Sequence, residues 1–174
     1  MRRTVAAVVP FAVLVVVVAY LTSASGQPDG SDAPVFGNKI PPGYRDWRLI
    51  SVAHEEGALN DLRAILGNDA AIKAYREGTL PFPDGTIIAR LAWNFAPSTE
   101  NNRAFGRLQS FVAGPPKEGV QFMVKDSRKY ASSGGWGFAQ FDNGAPAAGS
   151  ALKDCFSCHG AAGAPDFVFT RYAP

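Results

Sequence analysis

The sequence predicts a mainly β or α+β fold: a small antiparallel sheet with a few short helices, the last of them near the C-terminus. Three observations lead there. Apolar runs of strand length recur and are divided by Gly, Pro and Asp turns. The 18 glycines and 13 prolines among 174 residues favour a turn-rich domain over long helices. No internal repeat or long low-complexity tract breaks the pattern, so one domain with its own core is expected.

The first residues stand apart. "MRR" is a positive n-region, an uncharged apolar run of about 18 residues follows, and Ser23 and Ser25 occupy positions an export peptidase reads. Residues 1–25 are expected to be a signal peptide or, at this length, an uncleaved N-terminal anchor. Either route places the rest in the periplasm or another extracytoplasmic space. Losing Arg2 and Arg3 takes the formal charge from +2 to zero. With no basic stripe left to follow a polyphosphate backbone, no nucleic acid partner is expected.

Residues 26–42, rich in Gly, Pro, Asp and Ser, read as a flexible leader, and the domain is expected over 43–174. "DWRLISVA" partly alternates and reads as a first strand. "DLRAILG" (61–67) reads as a second, although Leu and Ala also suit a helix. "NDAAIKAYREG" (68–78) is a helix, with Asn68 or Asp69 as cap and Gly78 as stop. A turn at Pro83-Asp84-Gly85 leads into a strand from Thr86 to about Phe95. Ile87, Ala89, Leu91, Trp93 and Phe95 share an apolar face that must be core. Ile88, Arg90, Ala92 and Asn94 share the other, which suits a cavity lining or contact with water. "RLQSFVAG" and "GVQFMVKDS" read as two strands joined by "PPKE". "SRKYASSGG" reads as a short helix or turn, "WGFAQFD" as a strand and "NGAPAAGS" as a loop. Ser150 can cap a last helix through "ALKDCFSC".

That helix carries the chemistry. The chain has two cysteines and two histidines, and both cysteines and one histidine fall within "CFSCH", residues 155–159. On a helix Cys155, Cys158 and His159 project from one side. Two thiols can then add to the vinyl groups of a porphyrin while the imidazole reaches its iron. C-x-x-C-H is the attachment signature of c-type haem, so one covalently held haem c is expected, with His159 as proximal ligand. Three alternatives are weaker. A structural zinc needs about four ligands, and His54 is the one further candidate. A Cys155–Cys158 disulfide closes a loop too small to stabilise much. A redox-active C-x-x-C belongs in a βαβ setting that is not visible here.

The sixth iron position decides the role. A sixth ligand makes an electron carrier, and an open site allows binding or chemistry. Met123 lies in an apolar strand, where a core role is usual. His54 sits beside Glu55 and Glu56 as a solvated or hydrogen-bonded histidine. An open site is therefore expected.

The ordered motifs "YRDW", "FPDGT", "MVKDS", "GGWGF", "CFSCH" and "FVFTRY" resemble the cytochrome P-460 and cytochrome c′-beta family over residues 43–173. The resemblance implies an antiparallel β fold, a five-coordinate c-type haem with an open distal face, and a homodimer. It implies two possible activities. P-460 types oxidise hydroxylamine and related nitrogen oxides and carry a lysine–porphyrin cross-link, and c′-beta types bind nitric oxide or carbon monoxide. The cross-linking position corresponds here to Arg90, whose guanidinium stays protonated and is a poor nucleophile. Lys125 is too remote a substitute and is expected at the surface. The family's distal arginine and carboxylate correspond to Arg63 and Gln121. An amide cannot serve as a general base. Arg171, in the terminal stretch, is a candidate partner for a haem propionate. A small gaseous or nitrogen-oxide ligand, nitric oxide first, is the expected partner. Hydroxylamine or nitric oxide oxidation, with a soluble electron-transfer partner, is the alternative, followed by plain electron transfer.

Overall fold

The computed structural model describes residues 35–112, 114, 116–147 and 151–173. The expected export segment, the leader up to residue 34 and the expected cap Ser150 lie outside the described residues. The sheet is antiparallel. Its strands are β1 (Arg48–Glu55), β2 (Asp61–Gly67), β3 (Ile87–Trp93), β6 (Lys117–Lys125), β7 (Trp136–Asp142) and β8 (Ala145–Pro146), side by side in that order. A separate ribbon pairs β4 (Phe95–Pro97) with β5 (Ser110–Val112). Among the described residues there are three α-helices, α1 (Asp69–Glu77), α2 (Thr99–Phe105) and α3 (Ala151–His159), and several short 3-10 turns. The expected fold class holds.

"DLRAILG" is a strand because both of its edges are taken, by β1 and by β3. Helix α1 begins and ends at the residues the sequence marks. Asn68 Oδ1 accepts the Ala71 N–H at 3.0 Å, and Gly78 closes the helix in the left-handed region. A bulge on β1 between Leu49 and Ser51 sends Ile50 into the core beneath α1. Gly67 makes room for it, since a Cβ there would lie 2.7 Å from Ile50 Cδ1 and 2.8 Å from Ala71 Cβ.

The strand face expected to meet water or a cavity is in fact half core. Ile88 and Ala92 are buried like Ala89 and Leu91, because the sheet is covered on both sides. On one side α1, α3 and the C-terminal segment pack over Ile50, Ile65, Ile88, Met123, Trp136 and Phe138. On the other, Phe36, Ile40, Tyr44 and Trp47 pack over Ala89, Leu91, Val120, Phe122 and Phe141. Residues 35–42, read from the sequence as the end of the leader, contribute to this face. Their apolar side chains form part of this second core, and the rings of Phe36 and Tyr44 stand edge-on to Phe122 at 5.7 and 5.4 Å.

The stretch from Phe95 to Val112 also departs from expectation. "RLQSFVAG" and "GVQFMVKDS" do contain the strands β5 and β6, but α2 and β4, which the sequence reading did not identify, precede them, and β5 returns to β4 across α2. Ser98 caps α2 through the Asn101 N–H, and Gly106 ends it. The C-terminal segment closes over α1. The Tyr75 hydroxyl donates to the Thr170 carbonyl at 3.3 Å, Tyr75 and Tyr172 stack, and the Ala173 N–H donates to Ile50 O.

Candidate haem site

Helix α3 lies against β7, so the C-x-x-C-H side chains meet the sheet face that carries Ile88, Met123 and Phe138. The His159 ring centroid is 5.0 Å from that of Phe138 and 4.9 Å from that of Phe169. Its Nδ1 lies 2.8 Å from the Phe167 carbonyl oxygen. A carbonyl can only accept, so Nδ1 carries a proton, which in the neutral ring leaves the lone pair on Nε2. Burial pushes the His159 pKa below the usual histidine value, although the bond to Phe167 works in the opposite sense. Burial thus favours the neutral imidazole, and the Phe167 bond selects the tautomer whose Nε2 could bind a metal.

Cys155 is half-buried, Cys158 is exposed, and both are free thiols. Burial pushes the Cys155 thiol up, with Asp154 and Cys158 adding to the effect, while the nearby Arg90 charge pulls it down. Among the described residues no three His, Cys, Asp or Glu side chains converge as a bare metal ion would require. The donor set fits haem: two free thiols and one oriented imidazole on a single helix face.

Strand register decides which other candidates share that face. Ile65, Arg90, Gln121 and Gln140 form one cross-strand row, and Arg63 lies opposite Ala92 in the next. Arg63, Arg90 and Gln121 therefore all project from the α3 side of the sheet. Arg90 Nη1 donates to Gln121 Oε1 at 2.8 Å, and Gln121 Nε2 donates to Gln140 Oε1 at 3.0 Å. His54 is excluded from this group. It pairs with Leu62, which pairs with Trp93, on the opposite face, and its Nε2 lies 2.9 Å from Asn60 Oδ1. Met123 is on the haem face but buried within the core cluster. Arg171 is exposed on the C-terminal segment, and among the described residues no hydrogen bond or ion pair joins it to the Arg63–Arg90–Gln121 group.

The sequence reading overlooked Asp61, the residue that ties the two arginines together. Asp61 is 0% exposed. Its Oδ1 accepts from Arg63 Nε at 2.7 Å, and its Oδ2 lies 3.7 Å from Arg90 Nη2. Glu55 forms a further ion pair with Arg63. The arginine side chains remain 18% and 20% exposed, so they reach past the buried carboxylate toward the α3 side. The signal was present in the sequence: Asp61 and Arg63 share one face of a strand.

Lys125 corrects the sequence reading. Expected at the surface, it is 5% exposed. Its ammonium lies 2.8 and 3.0 Å from the two Asp166 carboxylate oxygens, donates to Gly134 O at 2.9 Å and sits over the Trp136 ring. At the end of β6 it turns inward because a buried acidic partner, distant in sequence, lies there. An ammonium so engaged is not available to attack a porphyrin.

No curated protein matches the chain. The family model for cytochrome P460 matches residues 41–170, from the first packed turn to the C-terminal segment over α1. The chain belongs to the cytochrome P460 family.

Proposed function

We propose that this protein is an exported mono-haem cytochrome that binds a small nitrogen oxide, nitric oxide first, at an open iron site. Membership of the family supports a c-type haem protein. In the proposal Cys155 and Cys158 would hold the haem covalently, His159 would bind its iron, and Arg63, Arg90 and Gln121 would offer polar groups to the small ligand. The haem supplies an iron that takes up the diatomic ligand. The chain's residues orient the proximal imidazole, exclude bulk water with Phe138 and Phe169, and offer hydrogen-bond donors to the ligand oxygen.

One observation carries the reading. The row Arg90–Gln121–Gln140 faces the same side as the C-x-x-C-H helix, and it contains donors but no lysine. The alternative is hydroxylamine or nitric oxide oxidation, with electrons passing to a soluble acceptor. It requires a group that takes protons from the substrate. Glu55 and Asp61 are the carboxylates of this cluster, and both are committed to Arg63. This favours binding over turnover. A homodimer and an extracytoplasmic location complete the proposal.

The test is the optical spectrum of the haem-loaded protein in both oxidation states, before and after nitric oxide. A high-spin spectrum that shifts at once, with an ordinary c-haem band position, supports the proposal. A strongly red-shifted reduced band would mean a modified porphyrin and would move the oxidase reading ahead. A low-spin spectrum indifferent to the gas would sink both. Arg90→Ala is expected to speed nitric oxide release about tenfold, the equivalent of one hydrogen bond of about 1.4 kcal/mol.

A further inference from the structure

The Lys125–Asp166 pair lies outside the distal group and is joined to the iron side of the site by a short covalent path. Asp166 and Phe167 are adjacent, both non-glycine, and both in the left-handed region, at φ 47° and 63°. Two such residues in succession persist only where their surroundings enforce the conformation. Here five contacts do so. Lys125 holds both Asp166 carboxylate oxygens at 2.8 and 3.0 Å. The Phe82 N–H donates to Asp166 Oδ2 at 2.8 Å, and the Trp136 indole N–H donates to the Asp166 carbonyl at 2.9 Å. The Phe167 ring lies over Gly134, where an added Cβ would come within 2.1 Å of the ring. The next carbonyl along, that of Phe167, accepts the His159 Nδ1 proton at 2.8 Å.

We infer that Lys125 is a positioning residue for the proximal imidazole, acting through Asp166 and the Phe167 carbonyl to set how strongly His159 donates to the iron. This rests on the reading of His159 as the iron ligand. A carbonyl held close and in line draws the Nδ1 proton and gives the ring more imidazolate character. A carbonyl released from the latch does so less. The ammonium is thus part of a device that fixes the electronics of the site from the row beside Met123 and Phe138.

The experiment is resonance Raman spectroscopy of the ferrous, haem-loaded protein, together with its reduction potential. Lys125→Met and Asp166→Asn are each expected to lower the iron–histidine stretching frequency and raise the potential. Asp166→Asn keeps an oxygen for the Phe82 N–H, and it stands in if the lysine variant fails to fold. Asn68→Ala, which weakens the fold at α1 without touching the latch, is expected to leave both readouts unmoved. If the band is unshifted in the latch variants, or shifts as much in Asn68→Ala, the inference is overturned and the haem reading stands. If the band survives unchanged in His159→Gly, the proximal assignment itself is wrong. Loss of that band in His159→Gly, with shifts confined to the two latch variants, supports both.

Discussion

At the scale of single residues, Asp61 shows how a buried carboxylate organises charged groups on one sheet face. Its two oxygens turn toward two arginines from neighbouring strands, so their guanidinium groups hold one place on the sheet face. Asp61→Asn keeps the shape and removes the charge. Breaking a buried pair costs about 3–5 kcal/mol, and the partial exposure of both arginines reduces this, so a loss of about 2–3 kcal/mol is expected. The check is the urea midpoint at neutral pH, with an unchanged slope if only stability moves. An unchanged midpoint would mean that the arginines stand without Asp61. The same reasoning explains why Lys125 was misread: a lysine next to an aspartate in a turn looks solvated until Asp166, 41 residues away, is brought to it.

At the scale of elements, Asn68 joins a helix to a strand. Its Oδ1 accepts from Ala71 at the start of α1 and from Ile87 at the start of β3, while its Nδ2 donates to Gly85 O. A cap alone contributes about 1 kcal/mol, and the two further bonds about 1 kcal/mol each. Asn68→Ala is therefore expected to lower stability by about 2–3 kcal/mol. Asn68→Asp, which keeps the acceptors, should cost less than half of that by denaturant titration. Equal costs would show that the donation to Gly85 matters most. The cap was legible from the sequence. The reach to β3 was not, because it depends on the turn at Pro83–Gly85 folding back beside α1. Helix α2 had its own signals in Ser98 and Gly106, but its strands are three residues long, too short for periodicity to register.

At the scale of the whole molecule, the sheet has two covered faces with different duties. One receives α1, α3 and the candidate haem site, and residues 35–47 pack over the other. Removing residues 35–44 should leave the haem optical spectrum intact and expose Phe122 and its neighbours. The variant is expected to bind anilinonaphthalene sulfonate and self-associate, as exposed apolar patches do. A soluble, dye-silent variant would show that the second face needs no cover. The sequence alone determined several local features: helix α1 with its cap at Asn68 and stop at Gly78, and the C-x-x-C-H cluster, whose spacing of three and four is a property of one helix. Tertiary structure alone decided which face each strand turns to α3, that His54 is on the wrong side, and that Asp61, Lys125 and Asp166 are buried partners. The division has a physical cause: turns, caps and helix spacing depend on near neighbours, whereas burial and pairing depend on register between strands far apart in the chain.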